Sequence, residues 1–253
     1  MNETTKRMLR ALLPSTPKPH RILAGDLAGA KIVTSWHDYP AAILGYGEKE
    51  LISWLLRTVK PGETWLDVGA HYGYTSLAMC RAVGETGRVF AFEPSLSCAG
   101  SIARTRLANR YWWWTVCPFG LDDASDLAVH ELPWVRGMID SQVALESSDG
   151  TERFMSVALD SVWAGVSSHA KRVHGIKMDV QGMEISALAG MRQLLCREKP
   201  TLVLEIHPGV DRGQVMALLN EAGYSSKPEP IEKGSTDFFD PNSNYSFVFR
   251  ASP

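Results

Sequence analysis

The sequence predicts an α/β protein built on a doubly wound, mostly parallel sheet with one late antiparallel strand. Short apolar runs alternate with helical patterns over most of the chain, the order that parallel crossover connections require. One early run leads straight into a glycine turn that opens a helix, the signature of a ligand-binding strand end. The 253 residues, 45% hydrophobic and 21% charged, suffice for one large core and sit near the globular average, which sets aside disordered, collagen-like and membrane-bundle readings.

Residues 1–21 read as a loose N-terminal arm, because the apolar patch at 8–13 is too short for a signal segment and Pro14, Pro17 and Pro19 break it. Residues 22–253 read as a single domain whose first part, 22–60, forms a cap. In the cap, 30–36 is strand-like, and 48–59 carries Leu51, Ile52, Leu55, Leu56 and Val59 at helical spacing before Lys60-Pro61-Gly62 stops it. The alternation continues with strand 64–68, helix 75–83, strand 88–92, helix 95–109 and strand 113–119. Residues 127–145 interrupt it and suggest a hairpin, and 154–159 is a further β-like run. Strand 176–180, helix 184–195, strand 201–206, helix 210–222 and strand 245–250 complete the order.

Lys+Arg 26 against Asp+Glu 28 gives a formal charge of −2, so no long-range field draws in nucleic acid or an anionic membrane, and a small-molecule partner read locally is expected. Cys80, Cys98, Cys117 and Cys196 have neither zinc nor disulfide spacing. Buried free thiols in a cytoplasmic protein are the expectation.

The segment Trp65-Leu66-Asp67-Val68-Gly69-Ala70-His71-Tyr72-Gly73 joins an apolar strand to a helix through two glycines. His71 stands where a dinucleotide fingerprint has the middle glycine that lets a pyrophosphate approach the backbone. A nicotinamide-dependent oxidoreductase is therefore disfavoured. Asp67 at the strand end would repel a pyrophosphate but attract an ammonium or sulfonium centre, and S-adenosylmethionine (SAM) carries both. Glu93 ends the next strand roughly 20 residues on, where a carboxylate can accept hydrogen bonds from two ribose hydroxyls. Asp123, after the third strand, is placed by the same topology to reach an adenine amino group.

Pro61-Gly62, LDVGAHYGYTS, GRVFAFEPS and IKMDVQGMEISALAGM occur in order and at familiar separations. The chain resembles the FkbM-type SAM-dependent methyltransferases, from about residue 45 to 207. Gly45-Tyr46-Gly47-Glu48 is similar to that family's Gly-x-Tyr-Glu motif, with Gly47 where Tyr is usual. His71 and Tyr72 replace a common Asn-Ile pair, and Gln181 stands where Glu is common. The resemblance implies a class I methyltransferase fold, SAM as cofactor, and a hydroxyl on a sugar, polyketide, lipid or other glycan-type acceptor. It also implies that Glu48, Ala70 and Ser76 share the cofactor site with Asp67, Gly69, His71, Gly73, Glu93 and Asp123. An amine acceptor, including a protein lysine, is the alternative on the same fold.

The acceptor side falls to the later strand ends. In that architecture Asp179 faces the transferable methyl group, and Glu184 lies in the first turn of the following helix. Alternation in Leu204-Glu205-Ile206-His207 sends Glu205 and His207 to one face, and so apolar a strand demands a partner for Glu205. His207 titrates near neutrality and is a candidate base for a hydroxyl acceptor. Asp179, Glu184, Glu205 and His207 together offer hard ligands for Mg²⁺, although carboxylates at separate strand ends more often serve hydrogen bonds, so no resident metal is expected. Residues 127–145 and 22–47, with Trp36 and Trp134, are candidates for shaping acceptor specificity.

Overall fold

The computed structural model describes residues 12–135, 138–167, 172–234, 237–240 and 245–252. Lys18–Arg21 (β1) pairs antiparallel with Lys31–Thr34 (β2), so the end of the expected loose arm is a strand. It is held further where the His37 amide donates to the Pro14 carbonyl. Pro40–Leu44 (α1) and Lys49–Thr58 (α2) follow. Thr64–Val68 (β3), Tyr74–Val83 (α3), Arg88–Phe92 (β4), Leu96–Asn109 (α4) and Trp114–Cys117 (β5) then alternate as the sequence predicts.

The interruption at 127–145 is a separate structure. Gly120–Leu121 (β6), Ala128–Val135 (β7), Met138–Ile139 (β8) and Gly150–Val157 (β9) form a four-stranded sheet in the order β6-β9-β7-β8. β7 and β8 pair antiparallel within 127–145 as expected, and the long antiparallel partner of β7 is β9. Leu159–Val166 (α5) then leads to Gly175–Met178 (β10), Glu184–Ala189 (α6), Arg192–Glu198 (α7), Thr201–Glu205 (β11), Arg212–Glu221 (α8), Glu229–Pro230 (β12) and Ser246–Phe249 (β13).

The expected single helix over 184–195 is two. Gly190 lies so near the β6–β7 connection that a Cβ there would come within 1.7 Å of the Asp122 carbonyl oxygen. The second piece starts afresh, with the Asp160 carboxylate accepting from the Gln193 and Leu194 amides at 2.7 and 3.0 Å, which satisfies helix-start donors.

The central sheet has seven strands in the order β12-β13-β11-β10-β3-β4-β5, parallel from β11 to β5, with β13 antiparallel to β11. Period-two alternation sorts each strand between two cores. Leu66, Val68, Phe90, Ile176, Met178, Leu204 and Ile206 face one; Trp65, Val89, Ala91, Trp114 and Val203 face the other. Both faces are covered, as a parallel sheet requires. No helix among the described residues is long and apolar enough to cross a membrane.

Candidate active site

The carboxyl ends of β3, β4 and β10 open into one cleft, roofed by the small sheet and by the cap. In an open α/β sheet the crevice lies where strand order reverses, here between β3 and β10, with β4 and β5 on one side and β11 and β13 on the other.

Gly69 follows β3 at φ +76 and lies so close to the loop after β10 that a Cβ would come 1.7 Å from the Asp179 carbonyl oxygen. The amides of Gly69 and Ala70 donate to the Phe92 carbonyl at 3.0 and 3.1 Å, which ties the turn to the end of β4. His71 accepts a φ of 50 in that turn. Gly73 serves packing more than ligand approach, since its missing Cβ faces the Trp114 ring at 2.9 Å.

Glu93 is 5% exposed and accepts from the His71 amide at 2.6 Å and the Ser95 amide at 2.9 Å, one on each carboxyl oxygen. Burial pushes its carboxyl up to about 8, against the pull of those two amides. Its free lone pairs and its place in the cleft wall suit a diol.

Asp67 differs from expectation. It is fully buried; Thr75 Oγ1 donates to its Oδ2 at 2.7 Å, Ser76 Oγ donates to the same oxygen, and Lys177 Nζ lies 3.5 Å from Oδ1. The register places Lys177 directly opposite Asp67. The Asp67 charge is thus spent inside the protein, and neither Asp67 nor Ser76 borders the cleft. Asp123 is exposed and away from the cleft, which is bordered there by Gly120 and Leu121. Its neighbour Asp122 is occupied by Ser156, His130 and the Ala124 amide.

Lys177 is a site residue that the motif alone does not single out. A lysine between Ile176 and Met178 in a buried strand carries the same signal that singled out Glu205, a charge too costly to bury unpaired. Burial would strip its proton, but Asp67, Asp179, Glu48 and Glu205 outweigh that and hold the ammonium above its ordinary range. Nζ is 3.3 Å from the Gly69 carbonyl and 3.7 Å from Asp179 Oδ2.

Asp179 and Gln181 border the cleft, with Gln181 Nε2 donating to Asp179 Oδ1 at 3.1 Å. A glutamate at 181 could not make that bond without a proton. Glu48 also borders the cleft; although exposed as a residue, its carboxyl is pushed up to about 7, first by desolvation and then by Asp179 and Asp67 against Lys177. The space where the family's Tyr would begin is partly taken, since a Cβ on Gly47 would lie 3.2 Å from the Tyr39 hydroxyl.

Glu184 and His207 lie behind the cleft rather than in contact with an acceptor there. Glu184 is fully buried and His207 is 5% exposed, and neither borders the cleft. His207 Nδ1 pairs with Glu184 Oε1 at 2.6 Å, while Nε2 points toward Asp179 Oδ1 at 3.5 Å and Glu205 Oε1 at 3.9 Å. Burial opposes the His207 proton, but the Glu184 bond and the Asp179 charge prevail and raise its pKa. Paired with Glu184 and set back from the cleft, His207 is a positioning residue behind Asp179. Glu205 likewise sits behind the cleft wall, pushed well up by desolvation and by Asp179 and Glu48.

The two segments singled out for specificity do reach the cleft, with Asp38 and Tyr39 from the cap and Leu132, Met138, Ile139 and Ser141 from the small sheet. Trp36 and Trp134 do not border it; Trp36 stacks edge-on with His20. Cys80, Cys98 and Cys117 are buried, whereas Cys196 is exposed.

Residues 67–226 match the methyltransferase FkbM domain. The chain is 28% identical over 184 residues, 72% of its own length and 71% of the other's, to the hexuronic acid methyltransferase AglP of Haloferax volcanii. A solved transferase candidate from Pyrococcus horikoshii superposes with a TM-score of 0.50 at 12% identity, covering 94% of this chain and 72% of that one. The methyltransferase FkbM structure from Methylobacillus flagellatus gives 0.47 at 16%, covering 78% and 50%. A nicotinamide-dependent oxidoreductase is thereby set aside: with its class I sheet and its domain match, the chain belongs to the FkbM methyltransferase family and is a SAM-dependent methyltransferase.

Proposed function

We propose that this chain methylates a hydroxyl oxygen on a sugar-type acceptor, with hexuronic acids the class to try first. The observation that carries the reading is the placement of two acids on opposite sides of β3 in one cleft. Glu93 is set by backbone amides to receive a diol, and Asp179 is open to a second molecule. The similarity to a hexuronic acid methyltransferase supports the sugar class.

In this reading Glu93 holds the ribose hydroxyls, and the backbone of Gly69, Ala70 and His71 shapes the floor beneath the cofactor, with Gly73 packing the turn from behind. Glu48 takes the part first given to Asp67, as a cleft acid that interacts with the Tyr39 hydroxyl and the Lys177 ammonium and faces the cationic end of SAM. Leu121, Leu132 and Phe154 offer apolar walls for the base in place of a polar contact from Asp123.

When bound, SAM supplies an electrophilic methyl group on a sulfonium. Asp179 would orient the acceptor hydroxyl and take its proton as the oxygen–carbon bond forms and the methyl–sulfur bond breaks, the neutral thioether S-adenosylhomocysteine leaving, with Lys177 as counter-charge and Gln181 fixing the carboxyl rotamer. Alignment at near-attack distance supplies most of the rate, and a placed base adds roughly 10² to 10⁴. The test is methyl transfer from labelled SAM to a panel of hexuronic acids, neutral hexoses and amines. Labelled methyl ethers are expected, and label found only on nitrogen would replace this reading with the amine alternative.

A further inference from the structure

We propose that Asp179, Glu205 and His207 form a divalent-cation site on the acceptor side of the cleft. One donor atom from each lies within 4.8 Å of the others. The inference rests on the acceptor reading above, because Asp179 belongs to both.

Three observations carry it. The first is His207 Nε2, a buried ring nitrogen with no hydrogen-bond partner on a side chain 7% exposed. It is aimed at two carboxylate oxygens, yet 3.5 and 3.9 Å are too long for the charge-assisted hydrogen bonds that a protonated ring would draw in to about 2.8 Å. Donors at about 2.1 Å from a shared ion in tetrahedral geometry stand about 3.4 Å apart. The separations fit an ion between the groups better than a proton on one of them.

The second is Glu184. Its carboxylate holds Nδ1 of His207 at 2.6 Å, which fixes the tautomer that leaves Nε2 with its lone pair. A carboxylate behind a histidine is the usual outer support of a metal ligand. Glu184 therefore leaves the ligand set that the sequence suggested and becomes the support of one member.

The third is charge. Asp179, Glu184 and Glu205 converge with Lys177 as the nearby ammonium, and that ammonium is already shared with Asp67. A dication offsets the remaining excess. One imidazole with two carboxylates suits Mn²⁺ or Zn²⁺ better than Mg²⁺, which prefers oxygen ligands and keeps its waters. Three protein donors leave coordination positions open to an acceptor hydroxyl or carboxylate, and an ion there would fix the acceptor beside Asp179.

The test is a Mn²⁺ titration of the chelator-stripped full chain, followed by the loss of the free-ion paramagnetic resonance signal. One ion per chain is expected. Asp179→Asn, Glu205→Gln and His207→Gln should each weaken it about tenfold or more, and Glu184→Gln by roughly 10- to 100-fold. Glu131→Gln, in the exposed pair with Arg153, should leave binding unchanged. Circular dichroism on each variant separates lost binding from lost folding, and Asp179→Asn, partly exposed and near-isosteric, is the variant safest in that respect. No uptake at millimolar Mn²⁺, or uptake indifferent to both Asp179→Asn and Glu205→Gln, overturns the site. Sugar methylation without uptake overturns the ion site and leaves the acceptor reading standing. Uptake by a chain that methylates only amines supports the ion site and removes the sugar reading.

Discussion

In the proposed reading Glu93 and Asp179 divide the chemistry between them, and these separate roles predict separable failures. Glu93→Ala removes an acceptor already oriented by two amides, so SAM affinity should fall by roughly 1 to 3 kcal/mol, read by calorimetry. Asp179→Asn keeps the shape but not the basicity; turnover should fall by a factor on the order of 10² while SAM affinity changes little. Equal loss of both quantities in the Asp179 variant would place that residue on the cofactor instead. Both acids were legible as strand-end carboxylates. Asp67 was legible in the same way and has another task, because Lys177 from the neighbouring strand meets it across the sheet. That pairing depends on which strand lies beside β3, and nothing in the local sequence states it.

At the scale of elements, the turn after β3 and the loop after β10 are braced against each other. Gly69 is required twice, by its positive φ and by the Asp179 carbonyl 1.7 Å from where a Cβ would lie. Gly69→Ala should cost about 2 kcal/mol or more in a denaturant melt and displace the Asp179 loop, so that SAM binding and turnover fall together. A variant with native stability and native SAM affinity would show that the two loops are not coupled. Hydrophobic periodicity located β3, β4 and α3 to within a residue, because each is long enough to repeat its pattern. It failed over 184–195, where an ordinary helical pattern is cut by a tertiary contact between Gly190 and the Asp122 carbonyl.

For the whole molecule, burial of Glu93 has a pH signature. Its carboxyl is raised from 4.5 to about 8 in the folded chain without ligand, so between those values the folded state holds a proton that the unfolded state has released. Its contribution to stability is therefore full below the unfolded value and lost as pH rises through about 8. Thermal melts of the ligand-free chain should show stability declining across that window, with a shallower decline in Glu93→Gln. An equal slope in both would assign the effect elsewhere. Saturating SAM should raise the melting temperature by mass action at every pH tested.

The sequence by itself determined the doubly wound class, the late antiparallel strand, and the acids that end β4 and β10. Those follow from periodicity and from turn chemistry, which act over a few residues. Only the tertiary structure decided which acids face the cleft. Asp67 is neutralised by Lys177, Glu184 is consumed by His207, and Glu48 arrives from the cap. Each outcome turns on charges brought together from distant segments. Whether a carboxylate is free or paired is fixed by the desolvation cost of its final surroundings, and those surroundings exist only once the strands are in order.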